Sequence, residues 1–154
     1  MPLHPAWAKN VARRVLAATI SPEPDRKHRP AIAAHFDDRG AYCGGQLPLK
    51  WHLDHLVSFD LGGSNHLSNR VAACPPCNED EKRDMEWVAF LRQKCASDAQ
   101  YQERLARIQA WRARHGGDAD AVVPEATRRA YTREVQFVSA AIDEAHARLK
   151  AARL

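Results

Sequence analysis

The chain has 154 residues, 45% of them hydrophobic and 27% charged, which fits one folded domain of ordinary composition and excludes wholesale disorder. Its longest largely apolar runs, such as Val15 to Ile20, fall far short of the ~20 residues that cross a bilayer, so no transmembrane segment is expected. The net charge is +4, from 23 Lys and Arg against 19 Asp and Glu, a balance that permits a polyanionic partner without requiring one.

Residues 5–19 carry Trp7, Val11, Val15 and Ala18 at helical spacing and predict an amphipathic helix. It stops at Ser21-Pro22-Glu23-Pro24, because two prolines forbid continuation. Arg13 and Arg14 stand before a short apolar run that lacks the ~7–15-residue core and small-residue cleavage site of a secretory signal. The chain is therefore read as cytoplasmic. A second helix is expected from Pro30, a favourable first helical residue, to Gly40. Between Leu47 and Gly63 the pattern changes to short runs rich in Trp, Val and Phe, bounded by Pro48 and the Gly62-Gly63 pair. That is strand and turn chemistry.

A third helix is expected to begin at Asn78, which can cap it with Glu81 three residues on, and Met85, Val88 and Leu91 supply an apolar stripe. A fourth runs from about Asp98 to His115, before Gly116-Gly117. The last starts at Pro124. Its heptad stripe of Tyr131, Val135, Val138, Ile142, Ala145 and Leu149 is too short for a coiled coil on its own and is expected to pack against the fourth helix. The chain holds no internal repeat and no low-complexity segment.

Charge is uneven along the chain. Residues 1–40 hold 7 Lys and Arg against 4 Asp and Glu (net +3), residues 41–97 hold 6 against 7 (net −1), and residues 98–154 hold 10 against 8 (net +2). If the basic flanks hold a polyanion, the acidic middle has another task. The cysteines are Cys43, Cys74, Cys77 and Cys95, and in a cytoplasmic chain they read as metal or catalytic residues before disulfides. Only Cys74 and Cys77 form a C-x-x-C pair, and the βαβ pattern that a redox dithiol calls for is missing.

The middle reads Gly40-Ala-Tyr-Cys43-Gly-Gly, His52-Leu-Asp54-His55, Gly62-Gly63-Ser-Asn65, Asn69, Cys74-Pro-Pro-Cys77-Asn78 and Lys82. A carboxylate and an amide oxygen suit a hard divalent cation, and an imidazole beside them can take a proton from water. Such a set hydrolyses phosphodiesters. Asp54 and His55 are adjacent, so this chemistry requires a strand end, a bulge or strong twist to bring them together.

The segment resembles the HNH endonucleases of the ββα-metal nuclease group, over about 45 of the 154 residues. The resemblance implies an α+β, mostly helical chain in which a small ββα module is flanked by N-terminal helices and a C-terminal helical pair. It further implies a metal-dependent DNA endonuclease of the kind found in phages and bacteria. Under it Asp54 and Asn78 are metal ligands, His55 is the general base and Asn69 fixes the hairpin loop. Lys82, one turn beyond Asn78, would contact phosphate. The duller readings stay open: Asn78 as a helix cap, Asn69 as a turn former, His55 as a structural residue. His52 and His66 receive no role, and Trp7, Trp51, Trp87 and Trp111 read as packing residues.

With oxygen donors dominant, Mg²⁺ or Mn²⁺ is expected at the catalytic position. The resemblance also implies a structural zinc, but Gly40 stands where the first cysteine would fall. Cys43, Cys74 and Cys77 remain, with His35, His52 or Cys95 as possible fourth ligands. Arg13, Arg14, Arg26, Lys27 and Arg29, with the Arg-rich C-terminal helices, are expected to hold the duplex backbone. The segments divide as 1–40, 41–95 and 96–154, together one compact domain. The rival readings are a non-catalytic zinc-knuckle module that binds nucleic acid or a protein, and a redox protein using Cys74 and Cys77. The oligomeric state is undetermined.

Overall fold

The computed structural model describes residues 4–83 and 85–152. Its elements in chain order are α1 (Pro5–Ile20), α2 (Arg29–His35), β1 (His52–His55), β2 (Arg70–Ala73), a π-helix (Pro76–Lys82), α3 (Trp87–Gln93), α4 (Asp98–Arg114) and α5 (Glu125–Ala151), with short 3₁₀ turns between. The fold is α+β and mostly helical. No helix among the described residues is long and apolar enough to cross a membrane.

The chain divides into two compact units, Met1–Pro22 with Pro124–Leu154, and Glu23–Val123. In the first unit α1 and α5 pack against each other, tied by the Lys9–Asp143 ion pair at 2.9 Å and by the Tyr131 hydroxyl on the Arg13 carbonyl at 3.4 Å. The heptad stripe of the last helix was expected to meet the fourth. The partner it has is α1, and neither helix of the pair contains a fully buried residue.

The second unit holds the core and the sheet. Ile32 and Phe36 from the α2 region, Tyr42, Leu56, Val71, Phe90 and Leu91 from α3, and Ile108 and Trp111 from α4 are almost wholly buried. β1 and β2 pair antiparallel in the register His52↔Ala73, Leu53↔Ala72, Asp54↔Val71 and His55↔Arg70. All four residues of β2 are buried, so the strand shows none of the alternation by which half-buried strands are read. That is why it lies beyond the predicted strand span.

Two helix boundaries differ from expectation. The second helix ends at His35 instead of Gly40, because Asp37 and Asp38 take left-handed φ values of 52° and 54°, a conformation their short polar side chains tolerate. The expected third helix is two elements. A π-helix ends at Lys82, Arg83 turns at φ 45°, and α3 starts afresh with the Glu86 carboxylate accepting from the backbone N–H groups of Val88 and Ala89. Its cap is thus Glu86 and not Asn78. Asp84, inside the span expected to be one helix, lies outside the described residues. The fourth helix matches its expected span closely and is capped by Ser97.

Candidate active site

The site is built on the hairpin. The connection between its strands is closed by Asn69, whose amide nitrogen donates to the Val57 carbonyl at 2.9 Å and the Ser64 carbonyl at 2.8 Å while its oxygen accepts from the Val57 N–H at 2.9 Å. This fully buried amide holds both sides of the loop together. Gly62 supplies a left-handed φ of 94°. A Cβ on Gly63 would stand 1.9 Å from the Val57 carbonyl oxygen and 2.6 Å from the Asn69 amide nitrogen, so the turn admits no side chain there.

Asp54 and His55 point to different partners, as adjacent strand residues do. The Asp54 carboxylate is buried, accepting from the Tyr42 hydroxyl at 2.8 Å and pairing with Lys82 Nζ at 3.3 Å, both through Oδ2. Burial raises its pKa above the ordinary carboxylate value, while Lys82 and the Tyr42 hydrogen bond oppose the rise. His55 closes β1. Its Nε2 lies 2.7 Å from Asn65 Oδ1, and Arg70 Nη1 rests against both ring nitrogens, 2.7 Å from Nδ1 and closer still to Nε2. Asn65 Oδ1 can only accept and Arg70 can only donate, so the ring is held between an acceptor and a donor. Burial, and then the Arg70 charge, push the His55 pKa down to about 4. The imidazole is neutral at pH 7.

Asn78 sits in the π-helix and donates through Nδ2 to His52 Nδ1 at 2.9 Å, with Glu79 Oε1 3.5 Å from the same nitrogen. No hydrogen bond or ion pair among the described residues joins Asp54 to Asn78. The two oxygen donors therefore stand on neighbouring elements, each with its own neutral or cationic partner.

Cys43, Cys74 and Cys77 converge, with their sulfurs all within 4.8 Å of one another. The Cys43 and Cys74 sulfurs are 3.8 Å apart. Zinc–thiolate bonds of ~2.3 Å arranged tetrahedrally give a sulfur–sulfur edge of ~3.8 Å, so this spacing suits zinc and is far too long for a disulfide. Hydrogen bonding from Cys77 and from the Gly45 N–H holds Cys43 toward the thiolate, its pKa lowered to about 5. Residues 41–84 match the HNH endonuclease family model. No curated protein and no solved structure matches the chain.

The matched stretch, under a third of the chain, contains every residue discussed above. It points to a nuclease or other nucleic-acid-acting module. The thiol trio has no fourth protein ligand among the three candidates. His35 Nε2 is hydrogen-bonded to the Arg107 carbonyl and its ring packs against Phe36 and Trp111. His52 faces Asn78, and the Cys95 sulfur accepts from Arg104 at 3.5 Å. Position 40 is where a fourth side chain would enter, because a Cβ on Gly40 would lie 3.0 Å from the Cys43 sulfur.

The expected phosphate contact at Lys82 is corrected. Its side chain is 1% exposed and points inward, to Asp54 and to the His55 carbonyl at 2.6 Å. Arg29 stacks its guanidinium 3.8 Å above the Trp51 ring and donates to the Trp51 carbonyl. Arg13 and Arg14 lie exposed on α1, in the other compact unit. Sequence reasoning gave no role to Tyr42, Asn65 or Arg70. Asn65 stood inside the quoted motif, whereas Arg70 carries no motif signal and is found only once the strand register is known.

Proposed function

We propose that this protein is a metal-dependent endonuclease that hydrolyses phosphodiester bonds in DNA, with His55 as the general base. The observation that carries the reading is the setting of His55: an imidazole at the end of β1, held between Asn65 and Arg70 with its pKa pushed down by burial, in a hairpin whose loop is tied by Asn69. A base must be unprotonated and oriented before it can accept a proton from water. Asn65 and Arg70 orient the ring, and a lone pair on it takes the proton.

Asp54 and Asn78 offer a carboxylate and an amide oxygen, the donor set of Mg²⁺ or Mn²⁺. Bound there, such a cation supplies charge stabilisation to the phosphoryl and leaving oxygens. Tyr42 and Lys82 hold the Asp54 carboxylate in place from within, and the Asn69 clamp fixes the loop that follows β1. Cys43, Cys74 and Cys77 are assigned to a separate structural zinc, which would pin the loop before β1 to the segment after β2.

Plasmid cleavage with Mg²⁺ by the intact chain beside His55→Ala and Asn78→Ala tests the reading. The intact protein is expected to cut, and His55→Ala to lose at least about a hundredfold in rate while still binding DNA. If no divalent cation yields any cutting, the catalytic reading falls, and a nucleic-acid-binding module organised by the thiol trio replaces it.

A further inference from the structure

Arg70 opens β2 directly opposite His55 in the hairpin register. Its side chain is only 7% exposed, yet its hydrogen bonding is incomplete. Nη1 rests against the His55 ring, Nη2 donates to Glu23 Oε2 at 3.0 Å, and Nε is buried without a hydrogen-bond partner. The Glu23 side chain is 60% exposed and meets the guanidinium through one oxygen alone. A guanidinium presents a planar fork suited to two-point recognition of an oxyanion, so a single solvent-facing carboxylate oxygen is a poor match for it.

We propose that Arg70 receives the substrate phosphodiester at this site, and that Glu23 occupies the place of that phosphate in the free protein. The proposal rests on the nuclease reading only in taking the anion to be a DNA phosphate. Glu23 sits between Pro22 and Pro24, in a stretch whose backbone is stiffened on both sides while its side chain reaches solvent. A phosphate arriving beside His55 meets a cation already desolvated and aimed, and displaces a partner that regains its hydration on leaving. As Arg70 turns to the phosphate, its contact with the His55 ring nitrogens is released. Substrate binding thereby frees the lone pair that the proposed reaction uses.

The test is a titration of a short fluorescent DNA duplex with the full chain in Ca²⁺, comparing Glu23→Gln, Arg70→Gln and the double variant. An ion pair whose carboxylate is solvent-facing opposes binding by an amount that makes Glu23→Gln bind about two- to fivefold tighter. In the Arg70→Gln background the Glu23→Gln change is expected to have no effect, because the two residues act through one contact. Thermal melts of each variant establish folding, and if Arg70→Gln does not fold, Arg70→Lys serves in its place with a reduced Glu23→Gln gain expected. Unchanged or weaker binding by Glu23→Gln overturns the proposal. So does a gain of the same size with and without Arg70, which would be simple removal of negative charge. Cleavage with Mg²⁺ separates the two readings: a chain that never cuts but shows the coupled binding gain keeps the phosphate site and loses the nuclease, and a chain that cuts without that gain does the reverse.

Discussion

Lys82 lies one turn past Asn78, and its spacing suggested an exposed phosphate contact. The structure makes it the internal counter-charge of Asp54, with side-chain exposures of 1% and 9%. Removing one member of a buried pair strands the other, so Lys82→Ala is expected to cost about 3–5 kcal/mol in chemical unfolding, where an exposed lysine would cost almost nothing. A loss below about 1 kcal/mol would return Lys82 to the surface. His55 makes a prediction of its own. Its folded pKa of about 4 lies below the 6.5 of the free side chain, so the unfolded chain binds more protons between those values. The stability it contributes is complete above pH 6.5 and is lost as pH falls toward 4, by about 3 kcal/mol in all. Asp54, raised by burial, acts in the opposite sense, gaining stability as acid is added. The comparison is therefore made against His55→Gln, whose unfolding free energy should vary less across this window. Equal slopes for both proteins would mean that His55 titrates normally.

The loop between β1 and β2 and the π-helix decide the site at the scale of elements. Asn69 satisfies three backbone groups at once, and Asn69→Ala leaves the Val57 and Ser64 carbonyls without their partner. The expected cost is roughly 3 kcal/mol or more, with hydrogen-exchange protection lost first across residues 57–64. Protection unchanged there would show that the loop is held by its glycine turn alone. The spans of α1 and α4 and the start of α5 were legible because apolar spacing agrees there with the proline or glycine pair that bounds each helix. The π-helix was not. Asn78 and Glu81 look like a capping box for an ordinary α-helix, and nothing local distinguishes the wider turn that follows two prolines at positions 75 and 76.

At the scale of the molecule, the thiol trio ties the loop before β1 to the segment after β2, two stretches separated by 31 residues. Metal binding that joins distant segments is folding free energy. The purified chain is expected to carry one zinc, to lose it and melt at a lower temperature on chelation, and to lose it with Cys77→Ser. Gly40→Cys should bind zinc more tightly than the natural chain, since it completes a four-thiolate set. A chain that binds no zinc and melts identically with and without chelator would dismiss the site. The pairing of α5 with α1 also belongs to this scale, because the heptad stripe fixes an apolar face but not which helix covers it.

Sequence alone determined the kinds of group at the site and their order. Asp54, His55, Asn69, Asn78 and the Cys74-Pro-Pro-Cys77 knuckle are recognisable because chemistry demands those residue types at those spacings, and the stretch 41–84 that matches the HNH endonuclease family model spans all of them. Tertiary structure alone decided which of them meet. The register that sets Arg70 against His55, the inward turn of Lys82 and the convergence of Cys43 with Cys74 and Cys77 all depend on contacts between segments far apart in the chain. Local spacing encodes a side chain's direction within its own element, whereas its partner is chosen by how elements pack, and that choice is made by burial.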